Sequence, residues 1–175
     1  GSVYLFPNSR GLFKVTTIEG DTHQLFNLNY NIKSQRLESM VSKDSVFLYD
    51  LNTIDFIVNN NTKYKAIFEG ELNGLFLEVF NNDKIKLYKK SHIVVEEGVM
   101  NPLTQEMITE NKYSQKFSYF FWINDEYVET KLSKSNILKV LSDKKDAIKE
   151  YASKNKLSYS SEEDMKNILN HYSSI

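Results

Sequence analysis

The chain has 175 residues, enough for one domain or one and a half, and its 41% apolar content is sufficient for a buried core. A net charge of −1 excludes nucleic acid as a bulk partner, because phosphate binding needs a basic surface field. The lack of cysteine excludes disulfides, thiolate nucleophiles and the usual structural zinc sites, and no run of 18 apolar residues exists to span a membrane.

Residues 11–95 carry the alternation of strands. Phe13 and Val15 fall on one face of the first segment, 11–18, and Lys14 and Thr16 on the other. Glu19-Gly20-Asp21 is a turn signal, and residues 22–31 complete a hairpin. Further strands are expected at 36–41, 45–49, 54–58, 64–68, 75–80 and 85–90. They are separated by Lys43-Asp44, Asn59-Asn60-Asn61, Glu69-Gly70 and Asn81-Asn82-Asp83, most of which favour turns. The segment 75–80 is apolar on both faces and is placed centrally, whereas Ile85-Lys86-Leu87 alternates and should keep one wet face.

Residues 96–112 have no period and several acids, and read as a long acidic loop. A second hairpin follows, with Phe117, Tyr119, Phe121 and Ile123 alternating against Ser118, Phe120, Trp122 and Asn124 before residues 126–130. From Ser133 the period becomes helical. Ser135 is expected to cap a helix carrying Ile137, Leu138 and Leu141, and Ser142 or Asp143 a second carrying Ala147, Ile148, Tyr151 and Ala152. Ser160-Ser161-Glu162-Glu163 reads as a capping box ahead of Met165, Ile168, Leu169 and Tyr172. The expected fold is therefore α+β: a β-rich body over 1–130, an antiparallel meander or curved sheet of about 8–10 strands, with three short C-terminal helices over 131–175 packed on it.

A family likeness rests mainly on this tail. It runs from Lys134 to Lys145, through Ile148-Lys149-Glu150-Tyr151, Asn155-Lys156-Leu157 and Ser161-Glu162-Glu163-Asp164, to Ile168-Leu169-Asn170-His171-Tyr172. In front of it, Gly11 to Val15, Gly20, Leu28-Asn29-Tyr30-Asn31 and Leu37-Glu38 add to the pattern, as do Phe76-Leu77-Glu78-Val79 and the run Ile85 to Lys90. Together these segments resemble a family of uncharacterised exported proteins of Bacteroidetes bacteria. The sequence departs from that family at His171, where a second aromatic is usual, and over 96–112, which is more basic there. The resemblance implies export to the periplasm, outer membrane or cell surface. The opening Gly1-Ser2 reads as a cloning scar, with a signal peptide expected to have been removed ahead of it.

Site chemistry is sparse. His23, His92 and His171 stand in different elements without metal-ligand spacing. No Gly-x-Ser-x-Gly elbow, phosphate loop or calcium loop occurs, and no cofactor is expected. Asp50 and Asp55 flank a short turn and are the one carboxylate pair with glycosidase-like potential, although loop acids near turns usually serve structure. The run Tyr113 to Trp122 is aromatic on both faces, which suits a core more than an exposed platform.

The expectation is a non-enzymatic exported protein that binds another protein as an accessory of the cell envelope. Phe120, Trp122, Met165, Ile168 and Tyr172 are its candidate partner-binding residues. The alternatives are a carbohydrate-binding module that uses Phe120 and Trp122 to bind a glycan, and a hydrolase whose site carries no recognisable motif.

Overall fold

The computed structural model describes residues 2–43 and 45–175. Gly1 and Asp44 lie outside the described residues, and with them part of the expected Gly1-Ser2 scar and Lys43-Asp44 turn. The fold is α+β, mostly antiparallel sheet with three helices at the C-terminal end.

The strands are β1 (Leu12–Thr17), β2 (Thr22–Phe26), β3 (Leu28–Asn31), β4 (Arg36–Ser42), β5 (Ser45–Tyr49), β6 (Ile54–Asn59), β7 (Thr62–Glu69), β8 (Leu72–Asn81), β9 (Ile85–Glu96), β10 (Lys112–Ile123) and β11 (Glu126–Thr130). Eight of them follow the order β11-β10-β9-β8-β7-β6-β1-β2, and β3-β4-β5 form a second sheet. The simple meander holds from β6 onward. The single strand expected over 22–31 is two strands in different sheets. Asn27 between them takes φ of 58°, a left-handed turn of the backbone that breaks the ladder. β1 then pairs with β6 across the β3–β5 excursion, Val15 facing Ile57.

Two compact units divide the chain. Unit 1 is Gly1–Phe76 with Ser91–Phe117, and unit 2 is Leu77–Lys90 with Ser118–Ile175. The division does not fall at residue 130. The helices share a unit with strand segments of β8, β9, β10 and β11, because those strands supply the apolar face on which they are buried.

The core of unit 1 gathers Phe6, Phe13, Leu28, Tyr30, Leu37 and Ile57 among others. Phe6 packs on Phe13 and Tyr64 with ring centroids 5.0 and 5.1 Å away. The segment before β1 is held to β3 by backbone bonds from Leu5 N to Tyr30 O and from Ile32 N to Val3 O. The Asn29 side chain completes this join, accepting from Phe6 N and donating to Phe6 O, each at 3.1 Å. Gly74 in β8 has φ of 112°, and a Cβ there would stand 2.7 Å from the Tyr30 hydroxyl oxygen.

The connection over 96–112 is shorter and more ordered than a patternless loop. β9 extends to Glu96 and β10 begins at Lys112. Between them Met100 bridges Met107, Ile108 N donates to Val99 O, and Asn101 accepts from Gln105 N and donates to Glu106 O. Gly98 permits this closeness, since a Cβ there would meet the Thr109 carbonyl oxygen.

In unit 2, α1 (Lys134–Val140), α2 (Lys145–Lys154) and α3 (Glu162–Ser174) bury one face each. Ile137, Leu141, Ile148, Met165, Ile168 and Leu169 are wholly enclosed with Ile85, Leu87 and Phe121 of the strands. The caps differ from expectation by a residue or two. Ser133, not Ser135, caps α1, accepting from Asn136 N. A 3-10 turn over Ser142–Lys144 leads into α2, and neither Ser142 nor Asp143 caps that helix. Ser161, not Ser160, caps α3 by accepting from Asp164 N at 3.2 Å. Asp164 in turn accepts from Ser158 N, and Glu163 pairs with Lys166. The Asn155-Lys156-Leu157 break is a Schellman motif: Leu157 N donates to Ala152 O, Lys156 N donates to Ser153 O, and Lys156 holds φ of 55°.

Two stability changes of opposite sign follow. Gly74→Ala should cost more than about 1 kcal/mol by chemical denaturation, with part of the loss recovered in Gly74→Ala/Tyr30→Phe, which removes the clashing oxygen. Lys156→Gly should raise stability by up to about 1 kcal/mol, because glycine relieves the left-handed strain at that helix end.

Candidate functional site

Four of the five side chains expected to meet a partner are interior. Met165 and Ile168 are 0% exposed, and Phe120 and Tyr172 are buried as well. The helical spacing of Met165, Ile168 and Tyr172 serves the core of unit 2, so the expected docking face on the tail is corrected to a packed one. Trp122 alone remains half-buried. It faces Tyr127 across the β10–β11 pair, and Lys86 Nζ stands 4.6 Å from its ring centroid.

The other singled-out residues are placed separately. Asp50 caps the 3-10 turn Leu51–Thr53, accepting from the Asn52 backbone and side chain, which together hold its carboxyl below the usual range. Asp55 is paired with Lys65. Each carboxylate of the expected pair therefore has a structural partner of its own. His23 on β2 and His92 on β9 are exposed, and His171 on α3 stacks on Tyr151 at 3.9 Å. Among the described residues no group of three or more His, Asp or Glu is placed to hold a metal ion. Among the described residues no helix is long and apolar enough to cross a membrane.

Two tyrosine–carboxylate ties organise the polar side of unit 2. Glu162, the first residue of α3, accepts from Lys89 Nζ at 2.7 Å and from the Tyr119 hydroxyl at 2.6 Å. Burial is the largest single influence on Glu162 and would raise its pKa. The hydrogen bonds from Lys89 and Tyr119 and the charges of Lys89 and Lys166 together outweigh it, so the carboxyl sits below its ordinary value. Burial, then the Glu162 hydrogen bond and charge, push the Tyr119 phenol well above its own. In the second tie, the Tyr172 hydroxyl donates to both Asp143 oxygens at 3.2 and 3.1 Å, and burial with this carboxylate pushes it up to about 12.

A cleft of about 320 Å³ opens beside the second tie, with Asp83, Lys84, Trp122, Asn124, Asp125 and Lys144 in its wall. Lys84 Nζ donates to Ser173 O at 2.7 Å and Lys144 Nζ to Tyr172 O at 3.1 Å, so both amines are anchored on the last carbonyls of α3. The Asn124-Asp125 corner has φ of 52° and 61°, the two left-handed residues of a tight hairpin turn.

Unit 1 carries a different surface. Of the 18 exposed large hydrophobic side chains among the described residues, all but Ile175 belong to it. One group lies on the three-stranded sheet, where Met40, Val41, Val46, Phe47 and Leu48 are all exposed. β5 is one of the two end strands of that sheet and shows Val46, Phe47 and Leu48 at 48%, 56% and 47% exposure, so both of its faces are open. A second group, which includes Val99, Met100 and Leu103, lies on the β9–β10 connection. Sequence reading missed both, since alternation marks apolar residues without saying which face is covered.

The phenol shifts set an alkaline limit. A tyrosine whose folded pKa is raised adds stability in full below its ordinary value of 10.0, and that stability disappears as pH rises through the folded value of about 12. Melting temperature should therefore fall between about pH 10 and 12, and fall less in Tyr119→Phe/Tyr172→Phe. An ultraviolet phenol titration should show two late-ionising groups that the double variant lacks. Parallel melting profiles for the two proteins would count against the ties.

Comparison with protein-family models, curated proteins and solved structures finds no match to this chain.

Proposed function

We propose that the protein is a non-enzymatic binding module, and that its partner is an extended, apolar segment of another protein added as a strand beside β5. The observation that carries this reading is the composition and exposure of the edge. Ser45-Val46-Phe47-Leu48-Tyr49 contains no charge and no proline, and four of its five residues are exposed. Natural edge strands are normally blunted by lysine, proline or a cover, because a bare edge pairs with other chains. An uncharged edge with apolar side chains on both faces suits strand addition, in which main-chain bonds give affinity and alternate side chains give selectivity. Phe47, set edge-on to Tyr49 with centroids 4.9 Å apart, is the aromatic anchor.

The same proposal keeps the periplasm or cell surface as the location and a cell-envelope assembly as the setting. What supports that part is the resemblance of the C-terminal run to exported proteins.

A photoreactive residue in place of Phe47 tests the contact in the native envelope extract. One defined protein should be crosslinked, and it should not be crosslinked from the same residue placed at exposed Lys139 of unit 2. Phe47→Ala should then weaken binding of that protein at least tenfold, with folding stability changed by no more than about 0.5 kcal/mol. Equal labelling from both positions, or none from Phe47, would refute this reading.

A further inference from the structure

The geometry points to a second interaction surface in unit 1: we propose that the β9–β10 connection binds a basic amphipathic helix of a partner protein. This surface is separate from the β5 edge and takes a different kind of segment. Met100, Leu103 and Met107 are all exposed, Leu103 at 92%. The Met100–Met107 bridge is flanked by Asn101 N donating to Glu106 O and Ile108 N donating to Val99 O. That is the pattern of a non-hydrogen-bonded antiparallel pair, in which the two side chains stand close together on one face. Two long, unbranched thioether chains placed together form an apolar surface that adapts to the shape laid on it.

The backbone of the connection is already used internally. Gly98 N donates to the Asn111 side chain, Val99 N to Thr109 Oγ1 and Leu103 N to Asn101 Oδ1. The N–H groups of Asn101, Gln105 and Ile108 are spent on carbonyls of the same connection. An extended segment laid here would find few main-chain partners, in contrast to the edge of β5. A helix brings its backbone bonds with it and needs only an apolar stripe for contact.

Charge selects which helix. Glu96, Glu97, Glu106 and Glu110 are all exposed, and residues 91–111 contain no Lys or Arg. Four carboxylates on the segments that carry the methionine pair complement a helix whose apolar stripe is bordered by Lys or Arg. An acidic helix would be repelled, and the anionic headgroups of a bilayer would repel the same carboxylates. Exposed ion pairs are individually weak, so the acids steer and select the partner, while the methionines and Leu103 supply the affinity.

The probe is a labelled peptide of about 14 residues, with Leu at helical spacing on one face and Lys on the other. Its comparators are a scrambled peptide of the same composition and a Leu/Glu peptide of the same spacing. The full chain should bind the Leu/Lys helix saturably, more weakly as salt is added. Met100→Gln/Met107→Gln should weaken binding about tenfold. Replacing the four glutamates by Gln should do the same and flatten the salt dependence. Val99→Thr/Ile108→Thr, one residue along each strand and on the opposite face, should leave binding unchanged. Phe47→Ala should also leave it unchanged, which separates this surface from the β5 edge. In the unmodified protein, amide shifts on peptide addition should fall within residues 98–110. The proposal is overturned if the scrambled or Leu/Glu peptide binds equally well, if the methionine variant keeps full affinity, or if the shifts fall elsewhere. It is equally overturned if the protein partitions onto phosphatidylcholine vesicles and does not bind the peptide.

Discussion

Two incomplete surfaces need each other in the C-terminal unit. Helices of 7, 10 and 13 residues are too short to persist in water on their own. The strands below them would otherwise expose Ile85, Leu87, Phe121 and Ile123. Each such side chain gains roughly 1.5–3 kcal/mol on full burial, as much as a hydrogen bond to a charged group contributes and more than a neutral one. Joining the two surfaces therefore decides which residues of α1, α2 and α3 are unavailable to a partner. It also explains why Met165, Ile168 and Tyr172, spaced like a recognition stripe, are core.

The polar contacts then determine where α3 sits on that apolar face. At its start, Lys89 and Tyr119 from neighbouring strands converge on Glu162. At its end, Lys84 and Lys144 donate to its last carbonyls. The acids Glu162, Glu163 and Asp164 lie in the first turn, so both ends are charged in the sense that opposes the helix dipole. The lysines that fasten the helix end also stand in the wall of the neighbouring cleft.

The N-terminal unit is built on different terms. Its core is closed by Phe6, Phe13 and Tyr30 and by the Asn29 clamp on Phe6, yet it leaves apolar side chains outside on β4, β5 and the β9–β10 connection. Scattered exposed hydrophobics are ordinary, but a run of three on one end strand is a surface to which another chain can pair. The two units thus differ in kind: one spends its apolar surface on its own interior, and the other keeps part of it outward.

Much of this was legible in the residues. Period-two alternation located the strands, and the Asn-rich separators located the turns, because left-handed backbone is tolerated best by glycine and asparagine. The change of period after Ser133 marked the helices. Caps were misplaced by one or two residues, since neighbouring serines offer the same hydroxyl and only backbone geometry chooses among them. The split of residues 22–31 into β2 and β3 was hidden because a single left-handed residue, Asn27, leaves the alternation on either side unchanged. What the sequence determined alone was the type and approximate place of most elements, through their period, and the absence of cysteine chemistry. What only the tertiary structure decided was which apolar faces are covered, for Met165 and Phe47 are equally hydrophobic in the chain, and burial depends on contacts between residues far apart along it.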